Sequence, residues 1–332
     1  MKRQTLRHFV VMGVLLGPLL GASLSGAQSK IPLRPMSQHP ASLTSQPTYT
    51  FTLLNYPGTL STLATGINPG ATTSKMEIVG GINLAVFGHD TQTQGGFLAR
   101  VSGKKMFTET YQAFNDPHVP PQQGAVAVND SGDIIGSYLD SSGNFHAFER
   151  IGAKFSNIDV PFTGATETFA NGINNSGEIV GAYEGSDGLS HGFTLVGGTY
   201  TSFDYPGGTQ TFATAINSSG AIVGQYRDGS GWHGFLLSAG TYTPFDYPGA
   251  TAETFPAGIN DNGDISGFYC VTEECVGDLS GAQGFLLSGG TFTEITIPGE
   301  FYTVAFEINN NGVIVGYYQD AAGVIGSFLA TP

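Results

Sequence analysis

Between residues 211 and 249 apolar and polar positions alternate in short runs broken by turn residues. "TFATAIN" (211–217) alternates with a period of two, which predicts a half-buried strand. "NSSG" (217–220) has Asn first and Gly fourth, the chemistry of a type I turn whose glycine takes the left-handed conformation of a bulged hairpin. "AIVGQY" (221–226) is a short apolar strand, "RDGSG" a loop and "WHGFLLS" (232–238) a third strand, and "AGT" turns into a fourth, "YTPFDYPG" (242–249). Four antiparallel strands in one unit make a β-propeller blade. The Pro of "DYPG" has no ladder donor, which predicts that the fourth strand is outermost. The Gly within "IVG" predicts crowded packing against a neighbouring blade.

The unit recurs. Its turn asparagine appears as Asn68, Asn129, Asn174, Asn217, Asn260 and Asn309, at spacings of 61, 45, 43, 43 and 49 residues. From the second copy on, the turn glycine follows as Gly132, Gly177, Gly220, Gly263 and Gly312. A period in the forties points to propellers or arrays. Helical repeats do not fit, because each unit has several Gly-containing turns and β-rich segments too short for helices. The first unit is preceded by a spare fourth-strand pattern, "TYTFTLLNYPG" (48–58), and the last stops after a third strand, "VIGSFLATP" (324–332). Joining the two removes an open sheet edge. The fold expected is therefore all-β: a six-bladed β-propeller of four-stranded antiparallel blades over residues 48–332, its ring closed by the N-terminal strand completing the last blade.

The first residues read differently. Lys2, Arg3 and Arg7 precede an apolar run from Val10 to Leu20, and Ser25 and Ala27 stand at the small-residue positions of a cleavage site. This predicts a signal peptide over residues 1–27, cut after Ala27, and hence secretion to the periplasm or the exterior. The run is short for a membrane span, and no second one occurs. Residues 28–47, with four Pro and no periodicity, read as a flexible leader. The mature chain has 9 Lys and Arg against 26 Asp and Glu, a net charge of −17, which disfavours nucleic acid as a partner. Cys270 and Cys275, alone in the sequence, are expected to pair in an oxidising compartment. Two thiolates without a nearby His or second Cys pair make a poor zinc site, so no metal and no cofactor are expected.

The combination "GIN..G.IVG.Y" followed by "HAF" or "HGF" resembles the HAF family of bacterial extracellular repeats. "FHAF" (145–148) carries the triplet itself, and "HGF" stands at 191–193 and 233–235. The pattern departs in the first, fifth and sixth units, where Gly95, Gln283 and Gly326 replace the His. The resemblance implies export and repetitive β-structure; it implies no particular activity.

Several recurring residues invite chemical readings. His146, His191 and His233 occupy one repeat position, so in a ring they are spread apart, and packing beside the following Phe or bonding to a neighbouring backbone group is expected in place of metal binding. Asp159, Asp204 and Asp246 recur in the fourth strand, where a hydrogen-bonding role is expected; partners for glycosidic chemistry must lie within about 5–10 Å of one another. "NDSGDI" (129–134) and "NDNGDI" (260–265) resemble calcium loops but lack the ligand spacing. "NNS", "NSS" and "NDS" match glycosylation acceptors but are the repeat turns. No G-x-S-x-G nucleophile motif is read here, and no P-loop, H-E-x-x-H or C-x-x-C motif.

Positions shared among units are scaffold, so a localised function is expected where units differ. The first unit is longest, with extra length at 83–95, and the fifth carries the loop "CVTEECVGDLSGAQ" (270–283). Both belong to the face formed by second-to-third-strand loops and crossings between units. Candidate ligand residues there are His89, Asp90, Gln92, Arg227, Asp228, Trp232, Glu273, Glu274 and Asp278. The function expected is that of a secreted, non-enzymatic, monomeric scaffold binding a protein or glycan through this face, without a catalytic residue. Two alternatives are a carbohydrate-active hydrolase or lyase, which requires a His and a carboxylate, or two carboxylates, to meet in one cleft, and a self-associating surface or matrix protein.

Overall fold

A computed structural model describes residues 49–54, 61–72, 76–84, 93–102, 105–107, 123–250, 252–270, 279, 281–321 and 323–332. The expected signal peptide and leader lie outside these residues. The described chain is all-β, with four strands to a unit. The first strands are β2 (Ser61–Ile67), β6 (Gln123–Val128), β10 (Glu167–Ile173), β14 (Gln210–Ile216), β18 (Glu253–Ile259) and β22 (Tyr302–Ile308). The second strands are β3 (Met76–Leu84), β7 (Ile134–Leu139), β11 (Ile179–Glu184), β15 (Ile222–Arg227), β19 (Ile265–Cys270) and β23 (Ile314–Gln319). The third strands are β4 (Thr93–Ser102), β8 (Phe145–Ile151), β12 (Ser190–Val196), β16 (Trp232–Ser238), β20 (Gln283–Ser288) and β24 (Ile325–Thr331). The fourth are β5 (Lys105–Phe107), β9 (Lys154–Asn157), β13 (Thr199–Phe203), β17 (Thr241–Phe245), β21 (Thr291–Ile295) and, at the N-terminus, β1 (Thr50–Leu54).

Each unit pairs its strands antiparallel in chain order, and the last takes β1 as its fourth strand, in the order β1-β24-β23-β22. One parallel bridge, Trp232 to Glu253, joins the units of β14–β17 and β18–β21 into an eight-stranded sheet. Burial falls from the first strands to the fourth: β14 is almost wholly buried, whereas β17 is half-buried or exposed throughout. The expected outermost strand is thus correct.

The turn asparagine does more than turn the chain. Asn217 Oδ1 accepts the N–H groups of Ser219 and Ala221, both at 3.0 Å, which pins its own hairpin. Its Nδ2 donates to the carbonyl of Asn260 in the next unit at 3.0 Å. The same donation runs from Asn129 to Asn174, Asn174 to Asn217 and Asn260 to Asn309, over 3.1–3.3 Å. Asn309 Nδ2 donates to the Ala71 carbonyl at 3.2 Å, and Asn68 Nδ2 to Asp130 Oδ1 at 2.9 Å. All six asparagines are buried, and these bonds satisfy the buried amides. Burial also removes Asn129, Asn174 and Asn217 as glycan acceptors. The calcium-like acids Asp133 and Asp264 accept from Asn129 and Asn260, and no metal-binding cluster occurs among the described residues. The predicted left-handed glycines are present, for example Gly220 at φ +79°.

Every first strand carries a β-bulge three residues before its turn, as between Ala213 and Ala215. The extra residue reaches sideways: Thr214 Oγ1 donates to the Pro256 carbonyl at 2.7 Å, and Asn171 Nδ2 to the Ala213 carbonyl at 2.8 Å.

Two expectations need correction. The glycine of "IVG" is crowded within its own unit, not by a neighbouring one. A Cβ on Gly224 would overlap the carbonyl oxygen of Phe212 and lie 2.8 Å from the ring of Phe235, both in the same sheet. The Phe of "HGF" thus fills the space over that glycine. The Pro of "DYPG" lies beyond β17, in the crossing between units. Ala250 N donates to Tyr247 O at 2.9 Å around Pro248 and Gly249, the latter at φ +97°. That is a type II turn, which needs a left-handed residue after its proline. Tyr247 stacks on Tyr269 of the next unit with ring centroids 3.7 Å apart, as Tyr205 does on Tyr226 at 3.6 Å. Thr254 Oγ1 and Thr211 Oγ1 accept from the N–H of those same tyrosines, so each crossing is bonded to the strand it feeds.

Candidate functional site on the loop face

The strand order gives the molecule two distinct faces. First-to-second and third-to-fourth hairpins share one. Second-to-third loops and crossings share the other, where each third strand begins with the repeat His.

Three consecutive units build the same polar cluster there. His146 Nδ1 lies 2.6 Å from Asp159 Oδ2, and Nε2 lies 3.3 Å from Asp140 Oδ2. His191 sits between Asp204 at 2.9 Å and Asp187 at 3.3 Å, and His233 between Asp246 at 2.8 Å and Asp228 at 3.3 Å. A second-strand tyrosine packs against each imidazole: Tyr138, Tyr183 and Tyr226, at 5.1–5.3 Å. The expectation of backbone bonding or Phe packing for these histidines is thus corrected: carboxylates hold both ring nitrogens. Burial acts against the charged imidazoles of His146 and His191, but hydrogen bonds and charge from their paired aspartates outweigh it and raise both pKa values. The loop acids shift the other way. The Asn144 N–H lowers the Asp140 pKa, the Leu189 N–H lowers that of Asp187, and the Ser230 hydroxyl and N–H bring Asp228 down to about 2.

A His and two carboxylates therefore do meet, three times. They do not form a base ready for substrate, because each ring nitrogen already faces a protein oxygen. In the third cluster Ser230 Oγ lies 2.9 Å from His233 Nε2, and Asp246 lies on the other side, an order like that of a nucleophile, base and orienting acid. Yet Ser230 Oγ also lies 2.6 Å from Asp228 Oδ1, so its proton has a carboxylate to go to. The reading that no G-x-S-x-G motif occurs needs correction, because Gly188-Leu189-Ser190-His191-Gly192 matches it. Ser190 is wholly buried at the start of β12, after a loop, without the strand–turn–helix context and exposure that this nucleophile requires.

Of the expected ligand residues, the structure describes Arg227, Asp228 and Trp232 and brings them together. His89, Asp90, Gln92, Glu273, Glu274 and Asp278 lie outside the described residues. Arg227 ends β15 opposite Trp232 at the start of β16, and its carbonyl accepts Thr209 N at 2.7 Å. The Arg227 guanidinium carbon stands 5.5 Å from the Trp232 ring centroid. Trp232 itself is buried and packs on Phe212 at 5.6 Å, so its ring is not exposed for stacking on a ligand. The exposed group is Arg227, laid over that indole. Behind it Gln225 Nε2 donates to Glu253 Oε1 at 2.8 Å and to the Thr254 carbonyl at 2.9 Å, tying β15 to β18. Cys270 ends β19 fully buried; no free cysteine occurs among the described residues, and Cys275 lies outside them.

No protein-family model matches the chain, and no curated protein sequence does. Solved structures do. AofleA from Arthrobotrys oligospora aligns at 12% identity with a TM-score of 0.50, over 85% of this chain and 86% of its own. A putative TolB from Agrobacterium tumefaciens aligns at 10% identity with a TM-score of 0.51, over 82% and 91%. A fungal lectin from Aleuria aurantia, with a six-bladed β-propeller fold and a fucose recognition mode, aligns at 13% identity and a TM-score of 0.48, over 80% and 91%. Among the described residues no helix is long and apolar enough to cross a membrane. At these identities the likeness is one of fold: the chain is an all-β protein of four-stranded antiparallel sheets arranged as in β-propellers.

Proposed function

We propose that the protein is an exported, non-enzymatic six-bladed propeller built of HAF-type repeats, which binds a protein or glycan partner through its loop face. Six four-stranded units support the blade count, and β1 pairing with β24 together with the Asn309-to-Ala71 bond supports a closed ring. A pairing of Cys270 with Cys275 belongs to the same reading and fits export. The observation that carries the binding role is the exposed Arg227 guanidinium standing over a buried indole, on the face where units differ. Its planar fork of donors suits a carboxylate or paired sugar hydroxyls. The opposite face differs in kind, because its turn side chains are engaged in bonds between units.

Glycan and protein arrays probed with the folded chain test this. Binding is expected, and Arg227→Ala should weaken it about tenfold or more, with Arg227→Lys restoring only part. No binding, or binding indifferent to Arg227, would count against the assignment. The hydrolase alternative takes its support from the Ser230–His233–Asp246 alignment. Covalent labelling by a serine-directed phosphonofluoridate, abolished by Ser230→Ala, would establish it; the present reading expects none.

A further inference from the structure

Two residues before each turn asparagine, the first strands carry Gly66, Ala127, Gly172, Ala215, Gly258 and Glu307. Small residues are needed because backbones meet here. A Cβ on Gly66 would lie 2.7 Å from the Val126 carbonyl oxygen, and one on Gly172 would lie 2.7 Å from Ala215 Cα. Glu307 breaks that rule, and Gly258 makes room for it: a Cβ on Gly258 would lie 2.7 Å from Glu307 Oε1. The Glu307 carboxyl accepts the Ile308 N–H at 3.3 Å and also a backbone bond from Ile259. No cationic side chain among the described residues offsets it, and burial pushes it up to about 8.

Glu307 forms part of the wall of a narrow cavity bounded by all six first strands, in which about 20 Å³ is open to the centre of a water-sized group. One aliphatic side chain per strand lines it: Ile67, Val128, Ile173, Ile216, Ile259 and Ile308. Exposed Ser218 and Asp261 stand on its rim, on the face opposite Arg227.

We propose that this cavity binds a slender alkylammonium group, a primary amine on an unbranched methylene stem, with Glu307 as its counter-charge. Methylenes pack along aliphatic walls while an ammonium seeks a carboxylate, as lysine side chains do when they snorkel. A divalent cation of the calcium type needs six or more oxygen ligands, and the cavity wall carries two carboxylates, one of them on the rim. Anions are disfavoured by Asp261 and by the acidic chain as a whole. The amine comes either free in solution or on the lysine of a partner.

The test uses n-butylammonium chloride with the full mature chain, followed by calorimetry. Tetramethylammonium, which has no N–H, serves as control. Butylammonium binding is expected to tighten as pH rises from about 6 to 9, because the bound cation favours the charged carboxylate. Other acids near Glu307 are few. Among the described residues Asp261 is the only other acid on the cavity wall, β23 opposes Glu307 with Val315, and Glu167 and Glu253 lie at the far ends of their strands. Glu307→Gln, nearly isosteric, should weaken binding about tenfold or more and remove its pH dependence. In the unmutated chain, carboxyl NMR of Glu307 should show its pKa fall when butylammonium is added. A lysine peptide that binds while its Nε-acetylated form does not assigns the source to a partner; binding of the free amine alone assigns it to a small molecule. No butylammonium binding, equal binding by Glu307→Gln, or an unmoved Glu307 titration overturns the proposal. Arg227→Ala should leave amine binding unchanged, which separates this site from the loop face.

Discussion

Asn217 ties three backbone groups through one amide: two N–H groups of its own turn and a carbonyl of the next unit. Asn217→Ala leaves all three without that partner, and a cost of about 2–3 kcal/mol is expected in urea unfolding. Gly224→Ala places a methyl against the Phe212 carbonyl and the Phe235 ring, and overpacking of that kind costs about 1–3 kcal/mol. The His clusters make stability depend on pH. Raised folded pKa values for His146 and His191 mean that their contribution is full below the ordinary histidine value of roughly 6.5 and fades as pH climbs through the folded values. Lowered values for Asp140, Asp187 and Asp228 mean that theirs is present above the ordinary carboxylate range and lost as pH falls toward the folded values. Glu307, raised to about 8, also favours the fold less as pH rises from the ordinary carboxylate range. The histidine part is therefore isolated by difference: the gap in unfolding midpoint between the unmutated chain and His191→Gln should be wider near pH 5.5 than near pH 8.

At the scale of elements, the unit was legible because each strand carries its own period and each turn its own chemistry. The third strand "WHGFLLS" was placed to the residue, and the other three shifted by one or more. Pro248 was misread because a proline after a strand and a proline in a type II crossing look alike until the fold shows where Tyr247 stacks. The terminal strand carries a sharper expectation. Thr331 pairs with Thr50 as Ser238 pairs with Thr241, so the chain is interrupted where other units have a two-residue turn. A circular permutant joining Thr331 to Thr50 through Gly-Gly should keep the melting temperature within a few degrees. Deleting residues 48–58 should abolish cooperative unfolding or cause aggregation, because β24 then presents an open edge. An unchanged melting curve for the deletion would rule out closure by β1.

For the molecule as a whole, the turn asparagines gather on one face, whereas the loop face carries both the recurring His–Asp clusters and the unit-specific pair Arg227 and Trp232. Comparing the chain's own units separated scaffold from exception, and that comparison led to Arg227, Asp228 and Trp232. It did not find the His–Asp clusters, although both residues recur at fixed spacing, because residues 13 apart meet only when the third and fourth strands pair. Nor did it single out Glu307, whose distinction lies in being the one large side chain at a repeat position that is otherwise Gly or Ala.

The sequence by itself determined the strands, the turns, the four-stranded unit and the spare strand at the N-terminus. These follow from alternation, from Asn and Gly at fixed turn positions, and from a pattern repeated often enough to be compared with itself. Only the tertiary structure decided which groups meet across units: that Asn217 holds its neighbour, that Arg227 covers Trp232, and that Glu307 joins aliphatic side chains from all six first strands. Local sequence encodes dihedral preference and burial, whereas contacts between residues about 43 positions apart exist only once the sheets have packed.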